Sequence, residues 1–241
     1  MLKQSVGLGM LTLALIGCGP ADRQPQGELS ADIQTQEEQQ SMTVEQVIAD
    51  LKEGNERFVR GQMIARDYQA QVKATAAGQY PKAAVLSCLD SRVPVEIILD
   101  QGIGDLFVGR VAGNIEDQTM IGSFEFATSV AGAKLILVLG HSECGAVKGA
   151  VDRDLVRELG HENLDALLDH INPAVEAALQ PGEERTSNDK DLVDRAIREN
   201  VLLTMDRIRQ ASPDLNEMEA NGTVRIVGGV YDLTTGRISW F

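Results

Sequence analysis

Two short segments of this 241-residue chain carry side chains suited to chemistry: Cys88-Leu89-Asp90-Ser91-Arg92 and His141-Ser142-Glu143-Cys144-Gly145. Together they offer two thiolates, one imidazole and the Asp90 carboxylate. Zinc is bound by cysteine sulfur, histidine nitrogen and carboxylate oxygen, usually in a tetrahedron. Three protein ligands leave one position open, and zinc lowers the pKa of water held there to about 7, which gives a nucleophile at neutral pH without strong base. Thiolates also favour zinc over magnesium or calcium. The same residues admit other readings: a Cys88–Cys144 disulfide, two cysteines buried as small hydrophobes, or a structural zinc with Asp90 as a permanent fourth ligand. Spacing alone leaves these open.

The elements that must position these groups alternate between helix and strand. Behind a Thr43–Gln46 capping box, Val44, Val47, Ile48, Leu51, Phe58 and Val59 recur at helical spacing up to Gly61. A weaker helix is predicted from Gln69 to Ala77. Ala83 to Ser87 and Leu106 to Val111 are short apolar strands, and a helix follows from Thr119 to Val130. Lys134 to Leu139 is a nearly continuous apolar run between Gly132 and Gly140, the pattern of a buried parallel strand. Ala146 to Leu179 reads as helical segments broken at Gly160 and Pro173. Leu192 to Ile208 is a helix with Val193, Ala196, Ile197, Val201 and Met205 on one stripe. Thr223 to Tyr231 is a last strand, and Gly236 opens a short extended tail.

This alternation predicts an α/β fold, a mainly parallel central β-sheet flanked by helices. In such sheets functional groups collect at the carboxyl ends of the strands. Cys88 directly follows the first strand, and His141 and Cys144 closely follow the run ending at Leu139. His141 and Cys144, three apart at a strand-to-helix turn, can bind one ion together, with Cys88 approaching from a neighbouring strand.

The formal net charge is −14, from 36 acidic against 22 basic side chains. So acidic a surface repels phosphate backbones and anionic head groups, which argues against nucleic acid as a partner and against a basic membrane-binding patch. Three cysteines are too few for a disulfide scaffold. At the amino end Lys3 precedes an apolar run, Val6 to Ile16, that is too short to span a bilayer and has the form of a secretory signal. Leu15-Ile16-Gly17-Cys18 resembles a bacterial lipobox, which implies that Cys18 is a lipid anchor; the alternative is an ordinary signal peptide with an incidental cysteine. The predicted organisation is a signal peptide over 1–18, a flexible polar tether over 19–41 and one folded domain over 42–241. Export to the periplasm or cell surface follows, with membrane contact only through the lipid.

Cys88-x-Asp90-Ser91-Arg92-Val93-Pro94 with Gly140-His141-x-x-Cys144-Gly145 resembles the zinc signature of the β-class carbonic anhydrases. Gly54-Asn55-x-Arg57-Phe58, Arg110-Val111-Ala112-Gly113-Asn114, Gly122-Ser123-Phe124-Glu125-Phe126-Ala127 and Gly229-Val230-Tyr231-Asp232 are similar to other landmarks of that family. The resemblance covers Thr43 to Phe241. It implies reversible hydration of carbon dioxide to bicarbonate and a proton, with zinc held by Cys88, His141 and Cys144. It also implies that Asp90 either hydrogen-bonds the zinc-bound water or fills the fourth position, and that Arg92 pairs with Asp90. A carboxylate in a bidentate arginine fork is held ionised, which suits those roles.

By the same resemblance Val93 and Phe124 are candidate apolar walls for the substrate, although core packing explains each equally well. His161 and His170 lie in polar helical stretches and read as solvent-facing. Some members of the family carry a second, inhibitory bicarbonate site built from tryptophan, arginine and tyrosine. Arg110 and Tyr231 match two of these, but Val85 stands at the tryptophan position and the sole tryptophan is Trp240. A homodimer or larger even oligomer is implied, its amino-terminal helices embracing the partner. Rival readings are a zinc hydrolase for carbonyl sulfide or carbon disulfide and a non-catalytic zinc-binding lipoprotein. The Asp90–Arg92 pair, which a purely structural zinc does not need, argues against the last.

Overall fold

The side chains of Thr43, Asp67, Asp117 and Asp189 cap helices that the sequence predicts. The computed structural model describes residues 29–241. The predicted signal peptide, the predicted lipid anchor at Cys18 and the first part of the predicted tether therefore lie outside the described residues. From Leu29 onward the tether reading is corrected. Thr35 and Glu38 form a capping box that opens α1 (Gln36–Ser41), and the buried Gln39 carboxamide donates to Pro81 O at 2.7 Å and Ala131 O at 2.8 Å. Ser30 also bridges the segment around Arg66, donating its N–H to Ala65 O and accepting from Asp67 N, each at 2.8 Å. The segment lacks apolar anchors, as its composition indicates, but hydrogen bonds to distant backbone hold it instead.

Thr43 caps α2 (Val44–Val59), its N–H donating to Gln46 Oε1 at 2.7 Å, and Val44, Val47 and Leu51 form the buried face. Then come α3 (Tyr68–Thr75), β1 (Ala83–Ser87), α4 (Val95–Ile98) and β2 (Leu106–Arg110). Asp100, fully buried at the end of α4, binds Arg57 Nε at 2.5 Å, Arg66 and the Ile64 amide, which ties α2 and the following loop to the sheet layer. A Pro94-led turn makes α4, which the periodicity does not reveal because it is one turn long.

Next are α5 (Gln118–Glu125), prolonged by a π turn through Phe126–Val130, β3 (Leu135–His141), α6 (Gly145–Val151), α7 (Arg153–Arg157) and α8 (Glu162–Ala178). The expected break at Gly160 occurs, but α8 runs straight through Pro173. A proline costs an interior helix about 3 kcal/mol. Here Leu168, Ile171, Ala174, Val175 and Ala178 form one buried stripe across it, and that packing holds the helix. The chain closes with α9 (Lys190–Ala211), α10 (Pro213–Ala220), β4 (Arg225–Tyr231) and β5 (Ile238–Trp240).

The sheet order is β2-β1-β3-β4-β5, parallel except for β5, which runs antiparallel to β4. Side chains alternate across it. Ala83, Val85, Leu135, Leu137 and Leu139 pack under α2 and α4, while Ala84, Leu86, Ile136 and Val138 pack under α5, α9 and α10. A third cluster joins Cys88 and Cys144 to the buried stripes of α6, α8 and α9. Close approach of α9 to the end of β3 needs Gly140, where a Cβ would lie 2.7 Å from Val201 Cγ2. Among the described residues no helix is long and apolar enough to cross a membrane.

Candidate metal centre

The register of the sheet brings the two chemical segments together. Ser87, the last residue of β1, pairs with Leu139 of β3, so Cys88 leaves its strand beside the final residues of β3. β3 continues to His141, which pairs with Tyr231 of β4. A turn with Glu143 in the left-handed region (φ 58°) then places Cys144 at the cap of α6.

The three potential ligands are buried, and their ligand atoms all lie within 4.8 Å of one another. Cys88 Sγ and Cys144 Sγ are 4.0 Å apart. Tetrahedral zinc with Zn–S near 2.3 Å places two sulfurs about 3.8 Å apart, so the pair fits one ion. A disulfide requires about 2.05 Å, and both thiols are free. His141 Nδ1 lies 2.9 Å from Ser142 O. Because that carbonyl can only accept, Nδ1 carries the proton and Nε2 bears the lone pair. Nε2 is buried without a hydrogen-bond partner. An orphaned imidazole nitrogen facing two thiols is unexplained by plain core packing and is what a metal ligand requires.

Asp90 sits at the rim of this cluster. Its Oδ1 accepts from the Arg92 amide and Nε, each at 2.9 Å, and its Oδ2 from Arg92 Nη2 at 2.7 Å. The Arg92 fork holds the Asp90 carboxyl well below the usual carboxylate range. Asp90 Oδ2 lies 3.9 Å from His141 Nε2, but Asp90 is not a member of the close three-atom group. The two thiols are unequal. Hydrogen bonds from Cys144 and from the Gly113 and Asp90 amides hold Cys88 well below the usual thiol range, against the opposing effect of burial. Cys144 is pushed up by the Cys88 thiolate beside it and by burial.

Other residues hold the site together, and sequence spacing does not reveal them. Arg110 Nε donates to Cys88 O at 3.0 Å and its Nη2 to Asp90 O, which clamps the turn carrying both side chains. The Gly113 N–H donates to Cys88 Sγ at 3.4 Å, and Asn200 Nδ2 donates to Gly113 O at 2.7 Å. Arg110 matched a bicarbonate-site position by resemblance, yet here it is committed to backbone carbonyls. Val85 is fully buried in the core beneath α2, and Trp240 lies on β5 under Lys52, away from Val85 in the fold.

Val93 and Phe124 are core residues in clusters on opposite faces of the sheet; Phe124 also borders an open groove along β2. His161 is exposed, as predicted. His170 is not simply solvent-facing: it is half-buried, with Nε2 2.9 Å from the buried Glu116 Oε1. Glu116 is four residues past Ala112 in a loop, and no periodicity links it to His170.

The fold and the site define a class: an α/β protein with a Cys2His metal-binding constellation at the carboxyl end of a parallel sheet and a bidentate Asp–Arg pair at its rim. A family model described as carbonic anhydrase matches residues 83–238. Carbonic anhydrase 2 of Mycobacterium tuberculosis is 39% identical over 188 residues, covering 78% of this chain and 87% of that protein. The carbonic anhydrase of Mycolicibacterium smegmatis is 35% identical, covering 78% and 88%. Among solved structures, the β-carbonic anhydrase CcaA superposes with a TM-score of 0.61 at 26% identity, covering 80% of this chain and 94% of that one. A β-carbonic anhydrase of Aspergillus fumigatus gives 0.62 at 25%, covering 80% and 88%. This chain belongs to the β-class carbonic anhydrase family.

Proposed function

We infer that this chain catalyses the reversible hydration of carbon dioxide to bicarbonate and a proton, using a zinc ion held by Cys88 Sγ, His141 Nε2 and Cys144 Sγ. The observation that carries this reading is the buried cluster of those three ligand atoms, with one imidazole nitrogen left unpartnered. Zinc there supplies Lewis acidity and lowers the pKa of a water in the open position to about 7. The chain's own residues do the rest. Asp90 Oδ2, at the rim 3.9 Å from His141 Nε2, would serve as the hydrogen-bond acceptor for a water held at such a site. Arg92 keeps Asp90 ionised and fixed, and Arg110 holds the turn on which both ride. Burial of the cluster limits competing solvent.

A second copy of the chain is the proposed partner, in a homodimer or larger even oligomer. Support comes from the unpaired edge of β2, where the exposed Phe126 packs edge-on against Phe107. A Sordaria macrospora relative, 27% identical with a TM-score of 0.59, is described as tetrameric. We further propose that the protein is exported and anchored through lipid on Cys18, a reading that rests on Leu15-Ile16-Gly17-Cys18.

Metal analysis with stopped-flow hydration tests the catalytic reading. Wild-type protein should hold one zinc per chain, and Cys144→Ser should lose metal and activity together. A Cys88–Cys144 disulfide with no bound zinc in purified active-fold protein would overturn it.

A further inference from the structure

Asn200 is a carboxamide on the mostly apolar buried stripe of α9, beside Ile197, Val201 and the buried hydroxyl of Thr204, and it is 1% exposed. Burying an amide is costly unless it is hydrogen-bonded. Its Nδ2 donates to Gly113 O at 2.7 Å, and because a carbonyl only accepts, the orientation of the carboxamide is fixed. Gly113 in turn donates its N–H to Cys88 Sγ at 3.4 Å.

The N–H and C=O of Gly113 belong to successive peptide planes that meet at its Cα. Holding the carbonyl orients one plane and therefore restrains the torsions through which the other, carrying the N–H, is aimed. Nothing on Gly113 itself does this: its φ is +72°, and a Cβ would stand 2.6 Å from Ile171 Cδ1. Glycine has the most backbone freedom of any residue, so a glycine amide aimed at a particular sulfur needs an external restraint. The Asn114 N–H to Val111 O bond closes the turn at 3.0 Å, and Asn200 supplies the side-chain restraint on Gly113 itself.

We propose that Asn200 is a positioning residue for the Cys88 thiolate, acting through Gly113. An N–H held on a thiolate draws density from the sulfur and directs its remaining lone pairs, which sets how firmly that sulfur grips a metal. The proposal rests on the zinc reading given above. Thr204, one turn along the same helix, provides the control. It is equally buried, its hydroxyl has no hydrogen-bond partner, and it makes no bond to Gly113.

The test compares wild-type, Asn200→Leu and Thr204→Val proteins, each loaded with zinc. Three quantities are read: the rate of zinc release to excess chelator, the thiolate-to-cobalt charge-transfer band after substitution, and the unfolding midpoint. Asn200→Leu should release zinc roughly 10–100-fold faster, the range for loss of an outer-shell partner, and should shift the cobalt band. Thr204→Val should match wild type in both. If Asn200→Leu does not fold, Asn200→Ala carries the same readouts. A lowered midpoint with unchanged release and band would make Asn200 merely structural and overturn the proposal, as would equal acceleration in Thr204→Val. Wild-type protein without zinc would overturn the metal reading itself, and this proposal with it.

Discussion

Gly113→Ala is the substitution whose cost can be worked most directly from the structure. Two penalties act at once. At φ +72° and ψ 15° an alanine is forced into the left-handed region, which costs an L-residue about 1–2 kcal/mol. Its Cβ would also lie 2.6 Å from Ile171 Cδ1 and 3.3 Å from Ala146 Cβ. Ile171 is fully buried, so its methyl has little room to retreat, and overpacking of this kind costs about 1–3 kcal/mol. The sum is about 2–5 kcal/mol. Each kcal/mol lowers Tm by about 2–4 °C in a domain of this size, so the expected drop is roughly 4–20 °C. Equilibrium denaturation of the zinc-loaded protein measures it, and a double-mutant cycle with Ile171→Val separates the penalties. That change removes the clashing methyl, so the pair should show a favourable coupling of about 0.5–3 kcal/mol while the backbone cost persists. A loss below about 0.5 kcal/mol for Gly113→Ala, or strict additivity in the cycle, would refute the reasoning.

Arg92→Ala should leave zinc bound but cut hydration by roughly 10²–10³-fold, the scale for removing an electrostatic stabiliser. Because Arg92 depresses the Asp90 carboxyl, its loss should also move the acid limb of the pH–activity profile upward; an unmoved limb with near-normal rate would make the pair structural. Asp100→Asn strips the buried charge partner from Arg66 and Arg57 and should destabilise by about 3–5 kcal/mol in equilibrium unfolding; a loss under about 1 kcal/mol contradicts that. Cys18→Ser should turn a membrane-fraction protein into a soluble or uncleaved one, and full-length wild type with an intact amino terminus in the cytosol would sink the lipoprotein reading.

Cys88, His141 and Cys144 were legible because their chemistry is carried by residue type and because apolar runs end where strands end. The parallel sheet was legible for the same reason: Lys134 to Leu139 has few other uses. What escaped depends on contacts far apart in sequence. Gln39 looks like part of a polar linker until Pro81 and Ala131 present carbonyls to it. Pro173 is a helix breaker by rule, overridden by a stripe that packs on both sides of it. Two further signals lie in the sequence: Ser212 followed by Pro213 is the cap and first position of α10, and Asn200 interrupts an apolar stripe that otherwise has no polar member between Val193 and Val201 on that face. Such an interruption marks a buried polar bond, though not its partner.

The folding of residues 29–41 onto the body of the enzyme changes the distance at which an anchored molecule works. A 23-residue leash after Cys18 would span up to about 80 Å at full extension, letting the enzyme roam well away from the bilayer. With α1 docked by Gln39 and Ser30 paired beside Arg66, only residues 19–28 separate a lipidated Cys18 from the folded body, a reach of at most about 35 Å. That is close to the diameter expected for a compact domain of this length, roughly 40 Å. On the lipoprotein reading, then, the enzyme is held within roughly one molecular diameter of the head groups, and the protons and bicarbonate it makes are released in the thin layer of solvent next to the membrane.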